Sequence, residues 1–493
     1  MSDDMTPTAP RRNNGWVLVT IVVVTAILTC AVTALVINIT QRKNENRPPS
    51  FAKVVEIRDD TVDPAVWGRN FPTQYDMYRK TAEFTVTTHN AGLVPRANDA
   101  PEADPRVETT ASKLEEDPRL VTMWSGYAFA KDYRHLRGHE YMLTDQLYTR
   151  RVLEAAAPGQ PGACLNCHAS TVTVMNTLGN GNLNAGFAAM NAMPYADAAK
   201  YAEHPITCID CHDPKTMNLR ITRPAAIEGI KALKASEGIA GYDVNRDATN
   251  REMRTYVCAQ CHVEYYFAGD AKTLTFPWNK GTDIDRVWEY YQEVGHTDIN
   301  HAIVKGAKVL KAQHPEFEAW AAGVHAANGV ACADCHMSYS RVGAQKVSNH
   351  RVTTPMIDVN GACGACHKAD TNTIRDRVKT IQNRFVDSRD RSLDALVALI
   401  GDIRKAQDEG VVPQEQIDLA ISYQEFAGFY VDYAYSENSY GFHAPDYFQR
   451  ILSQSLDASR KGQLALRGVP QARLEPSDVS TGNARTARSS GMF

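Results

Sequence analysis

The sequence predicts a mainly α fold with little β structure, closed by long C-terminal helices. Three observations carry this reading. Strand-like alternation of apolar and polar residues is sparse, whereas apolar positions recur at helical spacing, most plainly after residue 372. Five copies of Cys-x-x-Cys-His run through the middle of the chain: Cys164-Leu165-Asn166-Cys167-His168, Cys208-Ile209-Asp210-Cys211-His212, Cys258-Ala259-Gln260-Cys261-His262, Cys332-Ala333-Asp334-Cys335-His336 and Cys363-Gly364-Ala365-Cys366-His367. Their first cysteines are separated by 44, 50, 74 and 31 residues, which is too irregular for a tandem solenoid repeat.

Each motif reads as a covalent haem attachment site. Two thiols at this spacing add to the two vinyl groups of one haem, and the adjoining imidazole falls beneath the ring as proximal iron ligand. Paired Cys-x-x-Cys can also build a zinc tetrathiolate. Zinc does not require a following histidine, however, and the chain has only 15 His among 493 residues to supply five in that position. A thioredoxin-like motif would need a strand and helix alternation that is missing here. The expectation is therefore a multihaem cytochrome c domain with segments between motifs wrapped round porphyrins as helices and irregular loops.

Along the chain, residues 1–14 read as a cytoplasmic N-terminus. The uncharged run 15–40 is long enough to span a bilayer, which takes ~20 apolar residues. A cleaved signal peptide has an apolar region of only ~7–15 residues, so an uncleaved anchor is favoured, although Val32-Thr33-Ala34 offers a small-residue site inside the run. Arg11 and Arg12 face Arg42, Lys43 and Arg47 across it, so flanking charge sets no orientation. Haem attachment outside the cytoplasm does, and places the body on the periplasmic side of the bacterial inner membrane. Residues 41–63 are polar and Pro-containing and read as a linker.

Residues 64–372 form the expected pentahaem catalytic domain, with helices predicted over Pro224–Gly238 and Asp283–Val294. From about Thr373 to Ala406 apolar residues recur as Ile374, Val378, Ile381, Phe385, Leu393, Leu396, Ile400 and Ile403, which predicts a long amphipathic helix. Gly410 to Pro413 break it, and a second helix follows from about Gln414 to Tyr435. The span 373–466 is thus helical, either as a dimer seam or packed on the chain's own haem domain. From 467 to 493 the tail reads as disordered. Ten of 11 cysteines belong to the motifs and Cys30 stands alone in the apolar run, so no structural disulfide is expected. A net charge of −4 from 53 bases and 57 acids gives no basic face for nucleic acid.

Five irons offer ten axial positions, of which the motif histidines His168, His212, His262, His336 and His367 fill five. Ten further histidines remain, enough to cap every iron or to leave one open. Counting alone does not separate an electron carrier from an enzyme.

Longer motifs bear on that choice. They are Trp67-Gly68-Arg69-Asn70-Phe71-Pro72 with Gln74-Tyr75-Asp76, Gly126-Tyr127-Ala128-Phe129, Arg137-Gly138-His139, His262-Val263-Glu264-Tyr265, Phe276-Pro277-Trp278-Asn279-Lys280-Gly281, Lys311-Ala312-Gln313-His314-Pro315 and Gly441-Phe442-His443. In these the chain resembles the pentahaem, ammonia-forming cytochrome c nitrite reductases from about Trp67 to Ala444. The resemblance implies distal ligands His350 for the second haem, His139 for the third, His443 for the fourth and His325 for the fifth. The first haem then keeps an open face, flanked by Arg151, Tyr265 and His314, where nitrite is reduced to ammonium.

It further implies calcium beside that pocket, held by Glu264, Tyr265, Lys311 and Gln313, a homodimer through the long helices, and a quinol-oxidising multihaem cytochrome as electron donor. A guanidinium suits an anion, and a histidine near neutrality suits proton delivery. The chain departs from most members in carrying His168 where they have lysine, which changes the iron's donor. Two rival readings stay open: an electron-transfer cytochrome with the first iron capped, through His89 or His135, and a reductase of sulfite or hydroxylamine.

Overall fold

The computed structural model describes residues 15–45, 53–89, 92–96, 102–155 and 159–474. The expectations for residues 1–14 and for most of the C-terminal tail lie outside the described residues. The chain divides into two compact units, one up to Ala52 and one from Lys53 onward.

In the first unit a single helix runs over Gly15–Glu45. Its segment Gly15–Thr40 is long and apolar enough to cross a membrane. The helix continues five residues beyond the expected start of the linker, because Gln, Arg, Lys and Glu extend an existing helix at little cost.

The second unit begins with residues that the sequence reading assigned to the linker. These pack onto the body instead. Asn70 Oδ1 accepts the N–H groups of Val54 and Val55 at 2.8 and 3.0 Å, and its amide donates back to Val55 O at 2.9 Å. Ile57 is buried with Trp67, Val172 and Ile209. One apolar side chain and one amide clamp are enough to hold the strand-like stretch down.

Helices dominate this unit. The predicted helices appear as Pro224–Ser236 and Ile284–Val294, the latter capped by Asp283, whose Oδ1 accepts the Asp285 N–H at 2.9 Å. Among the described residues, strand is confined to four antiparallel two-stranded pairs, including Tyr266–Ala268 with Thr273–Thr275 and Ile299–Asn300 with Lys308–Val309. Strands of two to four residues are too short to show the alternation that would reveal them in sequence.

The longest helix of this unit spans Thr371–Glu409. Asp370 caps it by accepting the N–H groups of Asn372 and Thr373 at 3.0 and 3.1 Å, and Gly410 ends it at φ +65°. Its buried stripe is Val378, Phe385, Leu393, Leu396, Leu399, Ile400 and Ile403. That stripe packs against the helices Gln414–Ser436 and Pro445–Leu466 in a three-helix layer, the third of which had no separate counterpart in the periodicity. A Cβ on Gly462 would lie 2.8 Å from Leu399, so glycine there permits the close crossing. These helices share one apolar core with Trp124, Tyr133, Trp288 and Tyr291, and a second core surrounds the first three cysteine motifs.

Candidate active site

The cysteine motifs lie on or beside single helical turns, Leu165–His168, Cys208–Cys211 and Cys332–His336 among them. The histidine N–H bonds the carbonyl of the first cysteine at 2.9 Å in His212, 3.0 Å in His262 and 2.9 Å in His367. One turn therefore presents two sulfurs and an imidazole on the same side. The motifs also abut one another. The Cys167 and Cys261 sulfurs are hydrogen-bond neighbours, as are those of Cys258 and Cys332, and Cys335 lies within electrostatic reach of Cys363.

Four of the five motif histidines face a second imidazole. The ring centroids are 6.2 Å apart for His212 and His350, 6.2 Å for His262 and His139, 6.4 Å for His336 and His443, and 6.3 Å for His367 and His325. Two metal–nitrogen bonds of about 2.0–2.1 Å plus two ring radii set trans imidazole centroids on one metal at about this distance. The residues present thus fit an iron between each pair.

His168 has no such partner among the described residues. Its Nδ1–H donates to Met142 O at 3.0 Å, which leaves Nε2 as the free ring nitrogen. His212 and His336 are held in the same way, by Met217 O and Thr353 O, each at 2.9 Å. Histidine in the position of the family's lysine is therefore oriented like an ordinary proximal ligand. Of the two histidines considered as caps, His135 Nε2 meets Glu116 Oε2 at 2.7 Å, and His89 lies with its ring centroid 4.8 Å from that of Tyr440, tilted by 30°.

Arg151, Tyr265 and His314 gather round this first motif. The Arg151 guanidinium donates to Asp132 O at 3.1 Å and Gln146 Oε1 at 2.9 Å and lies 4.7 Å from the Phe129 ring. Its charge acts on Cys164 and His168. Arg150, the neighbour with which it is easily confused, turns away to Glu154 at 2.7 Å. Burial raises the Tyr265 phenol well above its ordinary value, with the Cys167 and Cys164 sulfurs adding to the effect. Burial also lowers His314 to about 4, against an opposing pull from Glu316. Both are neutral near pH 7.

The four residues expected round calcium also converge. Glu264 is fully buried, and its Oε2 accepts the Gln313 N–H at 2.7 Å while Oε1 accepts the Tyr291 hydroxyl at 2.9 Å. Gln313 reaches Lys311 O through its side-chain amide at 3.1 Å. The Lys311 ammonium pairs with Asp432 at 3.1 Å, and its charge also acts on the Glu264 carboxylate. Tyr265 follows Glu264 directly in the chain. One buried carboxylate with carbonyl and amide oxygens is a donor set for a hard cation.

Several residues of the site were not singled out from sequence. Gln146 and Asp132 fix Arg151. Glu318 supports the Glu264 segment, accepting the Glu264 N–H at 2.9 Å and the Trp278 indole N–H at 2.7 Å. Trp278 and Phe129 lay inside quoted motifs, so their vicinity to the site had a signal. Gln146 had none.

The family model for cytochrome c552 matches residues 63–488. Cytochrome c-552 of Parabacteroides distasonis is 35% identical over 420 residues, covering 84% of this chain and 77% of its own. That of Bacteroides fragilis is 33% identical over 438 residues, covering 88% and 83%. Among solved structures, the catalytic subunit NrfA of the cytochrome c nitrite reductase from Desulfovibrio desulfuricans, described with two calcium sites, superposes with a TM-score of 0.70 at 29% identity. It covers 84% of this chain and 88% of that one. With five haem-attachment motifs, four facing imidazole pairs and matches of this length, the chain belongs to the cytochrome c552 family.

Proposed function

We propose that the protein reduces nitrite to ammonium at the first motif, with electrons delivered through the other four. The observation that carries this reading is the asymmetry of the imidazoles: four motif histidines face a second ring at 6.2–6.4 Å, whereas His168 has none among the described residues and has Arg151 and His314 within electrostatic reach. When bound, the haem at Cys164 and Cys167 supplies the iron on which nitrite takes up six electrons and eight protons to give ammonium and two waters.

The chain's own residues supply charge and hydrogen-bond donors. Two of the five guanidinium N–H donors of Arg151 are held by Asp132 O and Gln146 Oε1, which leaves a fixed cation with donors to spare for a monoanion. Tyr265 and His314, both neutral, donate hydrogen bonds without adding a second positive charge. Burial holds His314 at about 4, not near neutrality as expected from the sequence, so it donates a hydrogen bond to the bound anion without storing a proton, and Tyr265 orients the same atoms. Glu264, the Tyr265 and Lys311 carbonyls and Gln313 hold calcium, which braces the segments carrying Tyr265 and His314.

His139, His325, His350 and His443 cap the remaining four irons. The helices Thr371–Glu409 and Gln414–Ser436 form a homodimer seam, and a quinol-oxidising multihaem cytochrome supplies electrons. Gly15–Thr40 anchors the body on the periplasmic side as an uncleaved segment, an idea that a soluble mature protein beginning after residue 34 would refute.

The test is stoichiometric. Purified haem-loaded protein, given reduced viologen and nitrite, is expected to form one ammonium per six electrons consumed. No consumption by protein with five haems would move the assignment to electron transfer.

A further inference from the structure

The polar residues inside the first three motifs do not reach solvent. Asn166, Asp210 and Gln260 each precede the second cysteine of their motif, and each is fully buried, as is Arg223. The four side chains interlock. Arg223 Nε donates to Asn166 O, one terminal nitrogen donates to Asp210 Oδ1 at 3.1 Å, and the other donates to Ala169 O at 2.9 Å. Gln260 Oε1 accepts the N–H groups of Thr222 and Arg223 at 2.9 and 3.2 Å, and its Nε2 donates to Asp210 O at 3.1 Å. Asn166 Nδ2 closes the ring by donating to Gln260 O at 3.4 Å.

Arg223 therefore bonds the first and second motifs directly and grips the third through Gln260. Its charge also reaches the sulfurs of Cys261, Cys167 and Cys211. Asp210 is its only carboxylate partner among the described residues, and neither side chain of that pair has any exposure. The fourth motif has Asp334 in the equivalent place, paired instead with Arg254 at 2.8 Å on a partly exposed face. The fifth has Ala365.

A buried guanidinium is costly unless paired, and its field is weakly screened in a low-dielectric interior. Fastening three turns together does not by itself require a charge. We infer that Arg223 is a positioning residue that locks the first three attachment motifs to one another and, with Asp210, sets the reduction potentials of the haems attached there. This rests on the motifs being haem sites and does not depend on the substrate.

The experiment uses full-length, haem-loaded Arg223→Gln and Arg223→Lys. Haems are counted by their alkaline pyridine spectrum and potentials are followed by optical redox titration. In R223Q the unbalanced Asp210 carboxylate favours the ferric state, so three of the five titration components move to more negative potential. R223K keeps the charge and restores them toward wild type, which a purely structural role would not do. If R223Q binds fewer than five haems, Asp210→Asn carries the test and must shift components to more positive potential. A five-haem R223Q that titrates like wild type, equal shifts in R223Q and R223K, or a negative shift in D210N would overturn the inference. A wild-type count other than five would instead overturn the reading of the motifs.

Discussion

The sites at His168 and at His336 are built from the same five-residue motif, each histidine held by a backbone carbonyl, and differ in what lies opposite the ring. His336 faces the ring of His443, which is backed by the buried carboxylate of Glu437 at 2.7 Å. A second carboxylate, Glu316, lies 3.7 Å from His262 at the third motif. His168 has no second ring opposite it among the described residues and instead has the Arg151 guanidinium and the His314 imidazole within electrostatic reach. Negative charge behind an imidazole favours the oxidised iron, whereas positive charge across from it favours an anionic ligand. Attachment is common to all five motifs, and the shell beyond the ligands divides conduction from chemistry.

Arg151→Ala is the strongest way to break this comparison. It removes the one cation fixed at the open face and is expected to lower nitrite turnover by about 10²–10³-fold with five haems still bound, as loss of one preorganised donor does elsewhere. Next comes Glu264→Gln, which withdraws the carboxylate from the proposed calcium shell. Turnover should fall by about 10–100-fold, the usual cost of disturbing a metal's supporting shell, while haem content stays the same. Unchanged turnover would remove calcium from the account.

Glu437→Gln sharpens the contrast from the other side. Neutralising the group behind His443 should move one titration component to more positive potential and leave the other four in place. A shift of all five would mean that the carboxylate acts on the whole body of the protein.

The smallest effect concerns Lys113, buried against the rings of Tyr133 at 4.8 Å and Tyr435 at 5.9 Å in the cationic surroundings that also include Lys311. Burial, with Arg389 and Lys311 adding to it, lowers this amine to about 8. Its ordinary value is about 10.4, so the unfolded chain holds the proton over a range in which the folded chain has lost it. Stability should therefore rise with pH between these values. Lys113→Met should abolish that rise, as measured by denaturant midpoints at pH 8 and pH 10.

Much of the frame could be read from the sequence. The five motifs needed only spacing, and Thr371–Glu409 declared itself through eight apolar positions, of which all but Ile374 and Ile381 are buried. His139 and His443 came from longer motifs, while His325, His350 and Arg151 came only from the family resemblance, because nothing in their local pattern marks them as site residues. What stayed hidden depends on contacts between distant segments. Asn166 and Arg223 are 57 residues apart and Asp210 and Gln260 are 50 apart, yet they meet in one buried ring. Each polar residue between paired cysteines looks solvent-facing until the second and third motifs close over the first. The stretch after Lys53 misled for a related reason: its polarity suggests a free linker, and it is held by contacts with distant residues, the Asn70 amide, the pocket around Ile57 and the pairing of Asp59 with Arg220 among them.

The adjoining motifs also bear on how a turnover is supplied. Sulfur contacts link the first motif to the third and the third to the fourth, and the fifth follows within reach. Five one-electron centres in such a file hold at most five electrons, one fewer than nitrite requires. A fully charged chain still falls short of a complete reaction, so each catalytic cycle includes at least one refill from outside.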